Sequence, residues 1–165
     1  MTEAAPPDKT SRVALREVTR ENLRDILRLK VSPAQERLVA PNAVSIAQAH
    51  FHPEAWFRAI YAGETPVGFA MLEDWTLAPE DAPEEWLREP YVALWRFMID
   101  ARYQSLGFGA QALAALVAHA RTRSARVMLL SFVPGDGNPE AFYRRFGFEA
   151  TGEVSEGEHV MRLAF

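Results

Sequence analysis

The chain has 165 residues, of which 48% are hydrophobic, and a formal net charge of −4 at pH 7; this size suits one domain, and the charge argues against a nucleic-acid-binding protein. It contains no cysteine, which excludes disulfides and thiolate metal sites. No apolar run reaches the roughly 18 residues of a membrane span, and the polar start lacks the apolar core of a signal peptide. We therefore expect a cytoplasmic protein without membrane association, with a flexible tail over residues 1–11 and a single domain over 12–165.

The first half of the chain predicts a strand, short helices and a hairpin. The alternation in RVALREV predicts the strand, and the helical spacing that follows predicts a helix capped by Thr19. One or two short helices are expected between residues 32 and 51, with Ser32 and Asn42 as N-caps and Pro41 as a break, forming a lid on the substrate side. The segment WFRAIYAGETPVGFAMLEDW then predicts two strands joined by a turn at residues 63–64.

An acidic segment, residues 73–90, follows the hairpin. It holds seven carboxylates and a single arginine. One interpretation is a solvated surface loop. The other is an electrostatic funnel that attracts a cationic substrate.

The second half of the chain predicts a crossover between two parallel strands. YVALWRFMID is predicted to be a buried central strand, a helix is expected to begin near Leu106, and ARVMLLSFV forms the next strand. A short helix should follow, with Asn138 as N-cap, Pro139 at its first position and Gly147 at its end. A hairpin around residues 156–157 closes the chain. The face of the long helix that packs on the sheet is predicted to contain Leu106, Ala110, Leu113, Val117 and Ala120.

The turn RYQSLGFG, residues 102–109, is the most informative segment for function. It lies where a strand ends and a helix begins, so the first N–H groups of that helix have no intrahelical partner and the helix dipole adds partial positive charge. Gly107 and Gly109 allow close approach of the backbone. A nest of such N–H groups binds phosphate without a lysine. The sequence therefore predicts a pyrophosphate-binding turn.

Three blocks, in this order, resemble the GCN5-related N-acetyltransferase (GNAT) family, and the resemblance extends from Val13 to Leu163. MIDARYQSLGFG resembles the acetyl-CoA signature, NPEAFYRRFGF resembles a short helix with a tyrosine before Gly-Phe, and ATGEVSEGEHVMRL resembles the terminal hairpin. Within the family, the chain most resembles bacterial diamine and spermidine N-acetyltransferases. Two positions depart from the signature: Gln104 stands where many members have Arg, and Ser105 where many have Gly. A positive φ at Ser105 would be strained.

The resemblance implies an α/β (α+β) fold with a mixed, twisted central sheet and helices on both faces. A splay between the fourth and fifth strands would form the cofactor cleft. The implied reaction is direct transfer of acetyl from acetyl-CoA to a primary amine, a diamine or polyamine such as spermidine, without a metal and in a homodimer. Two alternatives stay open: acetylation of a protein or peptide amine, and a catalytically silent acyl-CoA-binding regulatory protein.

The resemblance also implies roles for individual residues. A strand bulge would free the backbone of Phe97, Met98 and Ile99 to bind the pantetheine arm. Tyr143 would contact CoA and, as general acid, protonate the departing thiolate. Gln104 would fix the turn, and Asn138 is a further candidate for CoA contact. The pyrophosphate would be held by Ser105, Leu106, Gly107, Phe108, Gly109 and Ala110.

The acceptor amine requires a proton acceptor, because an alkylamine with a pKa near 10.4 is almost wholly protonated at neutral pH. The candidates are Glu36 on the predicted lid and Glu73 or Asp74, where a strand runs into the acidic segment. No spacing rule selects among them. His50 and His52 have no third ligand nearby in sequence, so no metal site is predicted. The four tryptophans are expected to fill core.

Overall fold

Seven strands form one mixed sheet, in the order β1-β2-β3-β4-β5-β7-β6, in the computed structural model, which describes residues 5–165. Neighbouring strands are antiparallel except β4 and β5, which are parallel and joined by a helical crossover. This confirms the predicted fold class and the predicted crossover. The strands are β1 (Val13–Arg16), β2 (Ala55–Ala62), β3 (Thr65–Asp74), β4 (Tyr91–Ile99), β5 (Val127–Phe132), β6 (Glu149–Ser155) and β7 (Glu158–Ala164).

Helices cover both faces of the sheet and create two separate core layers. One layer lies between the sheet and α4 and α5, with Phe108, Leu116 and Met128 fully buried. The other lies beneath α1 and α2 and contains Ile26 and Phe69. The α-helices are α1 (Leu23–Arg28), α2 (Asn42–Ala49), α3 (Glu84–Arg88), α4 (Phe108–Arg121) and α5 (Glu140–Phe146), with single 3-10 turns at Pro33–Gln35, Trp75–Leu77, Pro79–Asp81 and Ala101–Tyr103.

The long helix α4 begins at Phe108 rather than near Leu106. Gly107, in the left-handed region at φ 87°, is its N-cap, so Leu106 belongs to the preceding turn. Ala110, predicted on the apolar face, is exposed, because the face that meets the sheet lies on another side of the helix. That buried face consists of Phe108, Ala112, Leu113, Leu116, Val117 and Ala120.

Two of the predicted helix ends, at Ser32 and Gly147, are confirmed, and a third is displaced by one residue. Ser32 forms a capping box with Gln35 at the 3-10 turn. Pro139 rather than Asn138 is the N-cap of α5, which begins at Glu140, although the Asn138 side chain still accepts a hydrogen bond of 2.9 Å from the N–H of Glu140. Gly147 ends that helix in the left-handed region, at φ 110°.

Two further cap predictions are wrong. Thr19 does not cap α1, whose N-cap is Asn22; the Asn22 side chain instead accepts a hydrogen bond of 2.8 Å from the N–H of Thr19. Asn42 is the first residue of α2 rather than its cap. It is buried, and its Nδ2 donates to the carbonyl of Ile26 at 2.9 Å. A buried amide must find a partner, and here the packing of α2 on α1 supplies one.

The acidic segment is solvated, as one interpretation expected, but it is partly helical rather than wholly a loop; its exposed carboxylates are Glu80, Asp81, Glu84, Glu85 and Glu89. It folds as two 3-10 turns and α3, since Pro79 and Pro83 favour helix starts. Asp74, at its beginning, is fully buried and accepts a hydrogen bond of 2.7 Å from Nε of Arg123. That carboxylate therefore has a structural partner.

The predicted N-terminal tail lies partly outside the described residues. Within the described part, Asp8 accepts a hydrogen bond of 2.8 Å from the N–H of Thr10. Along residues 5–165, no helix combines the length and the apolar character needed to cross a bilayer.

Candidate active site

The strands β4 and β5 separate part-way along their length. They pair only from Tyr91 opposite Val127 to Leu94 opposite Leu130. Beyond that point, which we call the vertex, β4 stays paired with β3 and β5 with β7. A register shift between β3 and β4 leaves Trp95 as an extra residue, which is a β-bulge. The predicted splay is therefore present, and the backbone of β4 beyond Leu94 has no strand partner on the β5 side.

The space between the separated strands is a cleft of about 1030 Å³. Phe97 and Ile99 pack toward the core layer of α4 and α5, whereas Trp95 and Met98 pack toward that of α1 and α2. The cleft therefore opens through the sheet, between the two layers. Ten of the site residues predicted from the sequence line the cleft: Glu36, Phe97, Met98, Ile99, Gln104, Ser105, Gly107, Gly109, Ala110 and Tyr143. The lining does not include Leu106, Glu73, Asp74 or Asn138, nor Phe108, which is buried in the core.

The glycine turn presents unpaired N–H groups at one end of the cleft. Ser105 and Gly107 both have left-handed backbones, with φ of 63° and 87°. Gln111 is the first residue of α4 whose N–H bonds within the helix, to the carbonyl of Gly107 at 3.2 Å. The N–H groups of Phe108, Gly109 and Ala110 precede it and lack intrahelical partners. This arrangement is suited to an anion.

The side chain of Gln104 ties the turn to its surroundings. Its Nε2 donates to the carbonyl of Ile99 at 2.9 Å and to Oε1 of Gln35 at 2.8 Å. Gln35 is also the partner of Ser32 in the capping box. One amide therefore joins the glycine turn, the end of β4 and the 3-10 turn over the cleft.

Ser105→Gly is expected to raise the free energy of unfolding by about 1 kcal/mol. A non-glycine residue in the left-handed region costs about 1–2 kcal/mol, and the larger backbone entropy of glycine in the unfolded chain offsets part of this gain. Ser105 is exposed, so the change removes little packing. Urea unfolding measures the difference; a loss of stability would show that the serine hydroxyl contributes more than the backbone strain.

Tyr143 lies on α5, at the wall of the cleft. It is 7% exposed, and its ring makes edge contacts with Phe142 and Phe148, at centroid distances of 5.3 and 5.8 Å. Burial raises the pKa of its phenol well above the ordinary value of 10.0. The group therefore keeps its proton throughout the neutral range.

The predicted proton acceptors occupy different environments. Glu36 is exposed and lines the cleft. Glu73 lies outside the lining, opposite Ala93 on β4, and accepts a hydrogen bond of 2.8 Å from Nε1 of Trp75. Burial raises the pKa of Glu73. Of the sequence candidates, only Glu36 is thus placed beside the cleft.

Sequence reasoning missed charged and aromatic residues that line the cleft near the vertex. Glu158, on β7, lines it and accepts a hydrogen bond from the hydroxyl of Ser131. Arg96 donates to the carbonyl of Trp95 at 2.9 Å and to Oε1 of Gln48 at 3.2 Å, and its Nε is buried without a partner among residues 5–165. Burial lowers the pKa of Arg96. Trp95, predicted as core, is only partly buried and belongs to the cleft.

No group of three or more histidine and carboxylate side chains within residues 5–165 is arranged to hold a metal ion. His52 instead pairs with the buried Glu54, its Nδ1 lying 2.8 Å from Oε1.

Comparison with known proteins agrees with this geometry. The model of the Acetyltransferase (GNAT) family matches residues 19–148. The chain belongs to this family. It is 34% identical over 155 residues to the spermine/spermidine N(1)-acetyltransferase of Bacillus subtilis (strain 168), a match that covers 90% of this chain and 96% of that relative. The chain is therefore a GNAT N-acetyltransferase, as its sequence blocks implied.

Solved structures show the same GNAT fold. An acetyltransferase from Thermus thermophilus superposes with a TM-score of 0.69 at 18% identity, over 93% of this chain and 97% of that one. PaiA N-acetyltransferase from Thermoplasma acidophilum, solved in complex with coenzyme A, gives a TM-score of 0.63 at 13% identity, over 93% and 99% of the two chains.

Proposed function

We propose that this GNAT enzyme transfers the acetyl group of acetyl-CoA directly to a primary amine of a diamine or polyamine such as spermidine. The observation that carries the proposal is the cleft that passes through the sheet between β4 and β5, with an anion-binding turn at one end and a carboxylate near its vertex. The 34% identity to an enzyme named for spermine and spermidine supports the choice of acceptor.

The donor side of the cleft is suited to coenzyme A. The N–H groups at the start of α4 would bind the pyrophosphate. The glycine turn follows the C-terminal end of β4. A pantetheine arm that starts at the pyrophosphate and runs back along β4 therefore reaches the vertex. The backbone beyond Leu94, at Phe97, Met98 and Ile99, lacks a partner on the β5 side and can bind the amides of that arm. The thioester then lies near the vertex, where a backbone N–H would stabilise the developing oxyanion.

The acceptor side is the opposite opening, toward α1 and α2. The amine would approach from this face, because α4, α5 and the glycine turn define the donor face. Two carboxylates line the cleft, Glu36 and Glu158. The acidic segment contributes none of the lining, so direct contact with a cationic acceptor would come from these two residues, and residues 73–90 would act on it only at longer range.

The transfer needs one bond formed and one broken. The acceptor ammonium first loses a proton to solvent by way of Glu36, the predicted proton acceptor that lines the cleft. The neutral amine nitrogen then attacks the thioester carbonyl, the C–S bond breaks with its electron pair on sulfur, and the Tyr143 phenol supplies a proton to the thiolate. The amide nitrogen releases its extra proton to solvent, from which Tyr143 is reprotonated. No cysteine is present to form an acyl-enzyme, so the rate gain comes mainly from holding amine and thioester together.

A thiol-release assay tests this function. Purified protein with acetyl-CoA is expected to release free thiol when spermidine is added, and to release it more slowly with a lysine-containing peptide at the same concentration. Equal rates on peptide and spermidine would contradict the substrate class. Tight binding of acetyl-CoA without turnover on any amine would instead favour a silent binder.

We also propose that the enzyme is cytoplasmic and, on the family resemblance, that it is a homodimer. Sedimentation of the purified protein tests the oligomeric state, and fractionation of the source cells tests the location.

A further inference from the structure

Glu158 lines the cleft from β7, the strand that pairs with β5 on the side away from β4. It is the first residue of β7 and follows the hairpin turn at residues 156–157. Among residues 5–165, its one side-chain hydrogen bond comes from the hydroxyl of Ser131 to Oε2, and it forms no ion pair within 4.0 Å. The carboxylate is thus held in place while Oε1 keeps its full capacity to accept.

The partner of Glu158 fixes its position at the vertex. Ser131 directly follows Leu130, the last residue of β5 that pairs with β4. The thioester carbonyl of the donor would reach the same point, because the arm runs along β4 toward the vertex. Glu158 therefore lies where the acceptor nitrogen and its nearest methylenes must pass.

Strand alternation places Glu158 on the acceptor face. Met128, Leu130 and Phe132 of β5 pack into the layer of α4 and α5, so Ser131 projects to the opposite face, together with Glu158. Arg96 also projects there, since it bonds Gln48 of α2. Its guanidinium donates to Gln48 and to the Trp95 carbonyl and lies more than 4.0 Å from Glu158, although the charge of Glu158 acts on it and opposes the lowering of the Arg96 pKa by burial.

We infer that the carboxylate of Glu158, oriented by Ser131, binds an ammonium group of the acceptor and so selects cationic amines; this inference rests on the proposed function. The other carboxylate of the cleft, Glu36, is exposed and follows the 3-10 turn, so water screens it more strongly. An ammonium can donate to Oε1 of Glu158 without displacing Ser131 from Oε2. For a diamine or polyamine, one ammonium can pair here while another nitrogen, deprotonated, attacks.

Glu158→Gln tests the inference, because it keeps the shape and removes the charge. The KM for spermidine is expected to rise about ten- to hundredfold, the loss typical of a hydrogen bond to a charged group. The Kd of acetyl-CoA, measured by isothermal titration calorimetry, should stay unchanged, and kcat should change less than KM. Ser131→Ala keeps the carboxylate but removes the hydrogen bond that orients it, so a smaller rise in the KM for spermidine is expected.

Glu153→Gln is the matched control. It removes the same charge from an exposed position on β6 of the same hairpin, away from the cleft, and should leave KM unchanged. Salt should raise the KM of the wild type and of this control, but have less effect on the KM of Glu158→Gln.

An unchanged spermidine KM in Glu158→Gln would overturn the inference alone, as would an equal loss of acetyl-CoA affinity. A wild-type enzyme inactive on every amine would overturn the proposed function and, with it, this role.

Discussion

Tyr143→Phe is expected to lower kcat on spermidine by about 10²- to 10⁴-fold, the usual contribution of a general acid. The change removes only the hydroxyl, and the ring keeps its edge contacts with Phe142 and Phe148. The phenol forms no side-chain hydrogen bond within residues 5–165, so its loss leaves no partner unsatisfied. Acetyl-CoA affinity and the midpoint of thermal unfolding should therefore stay at wild-type values. Steady-state kinetics with calorimetric titration of acetyl-CoA separates these effects.

The pH profile of the wild-type enzyme offers a second check on Tyr143. Burial raises the pKa of the phenol, so the acid form is present at all pH values below that raised pKa. Deprotonation of Tyr143 should therefore cause no decline in kcat between about pH 7 and the ordinary phenol pKa of about 10. Tyr61→Phe is the control: this tyrosine is also buried but lies in the layer beneath α1 and α2, and kcat should not change. Unchanged turnover in Tyr143→Phe would rule out the general-acid role.

Gly68→Ala is expected to lower the free energy of unfolding by about 3 kcal/mol, at the upper end of the usual cost of overpacking. A Cβ atom at this position would lie 2.3 Å from the carbonyl oxygen of Met98 and 2.9 Å from Cδ1 of Ile99. The first of these is backbone and cannot rotate away, so β4 must move. Because Met98 and Ile99 form the donor wall of the cleft, acetyl-CoA should also bind more weakly. Urea unfolding and titration calorimetry measure the two losses.

Gly109→Ala is the matched control for stability. The nearest atom to its added Cβ would be Cζ of Phe142 at 3.7 Å, an ordinary contact, and the residue lies in the first turn of α4. Alanine is a better helix former than glycine by up to about 1 kcal/mol. Stability should therefore hold or rise. Equal destabilisation by both substitutions would show that crowding against β4 is not the cause.

The sequence predicted the elements whose signals are local. The apolar run before the glycine turn, the helical face after it and the second apolar strand define a crossover, and its parallel pairing follows from topology alone. Gly63, with φ 60°, and Gly147, with φ 110°, occur where turn chemistry requires them. Ser105 stands where many family members have Gly, so the sequence pointed to this position as one where a positive φ would be strained. Its φ of 63° is positive.

Features that depend on long-range contacts could not be predicted in the same way. Asn42 resembles a helix cap in sequence, yet its amide bonds a carbonyl of α1. Glu73 and Asp74 end β3, the strand that pairs with the central strand β4, but they bond to Trp75 and Arg123 outside the cleft. Glu158 enters the cleft only because β7 pairs with β5 beyond the vertex. It lies 27 positions after Ser131, and nothing in the intervening sequence indicates that contact.

The most direct test of the account is the ratio of kcat/KM on spermidine to that on a lysine-containing peptide, measured by thiol release from acetyl-CoA. A cleft that binds an ammonium at its vertex predicts a ratio of at least about tenfold, equivalent to about 1.4 kcal/mol of selective transition-state binding. Mass spectrometry should show one acetyl group added to the polyamine. A ratio near one, or faster reaction with the peptide, would contradict the assignment of a polyamine acceptor.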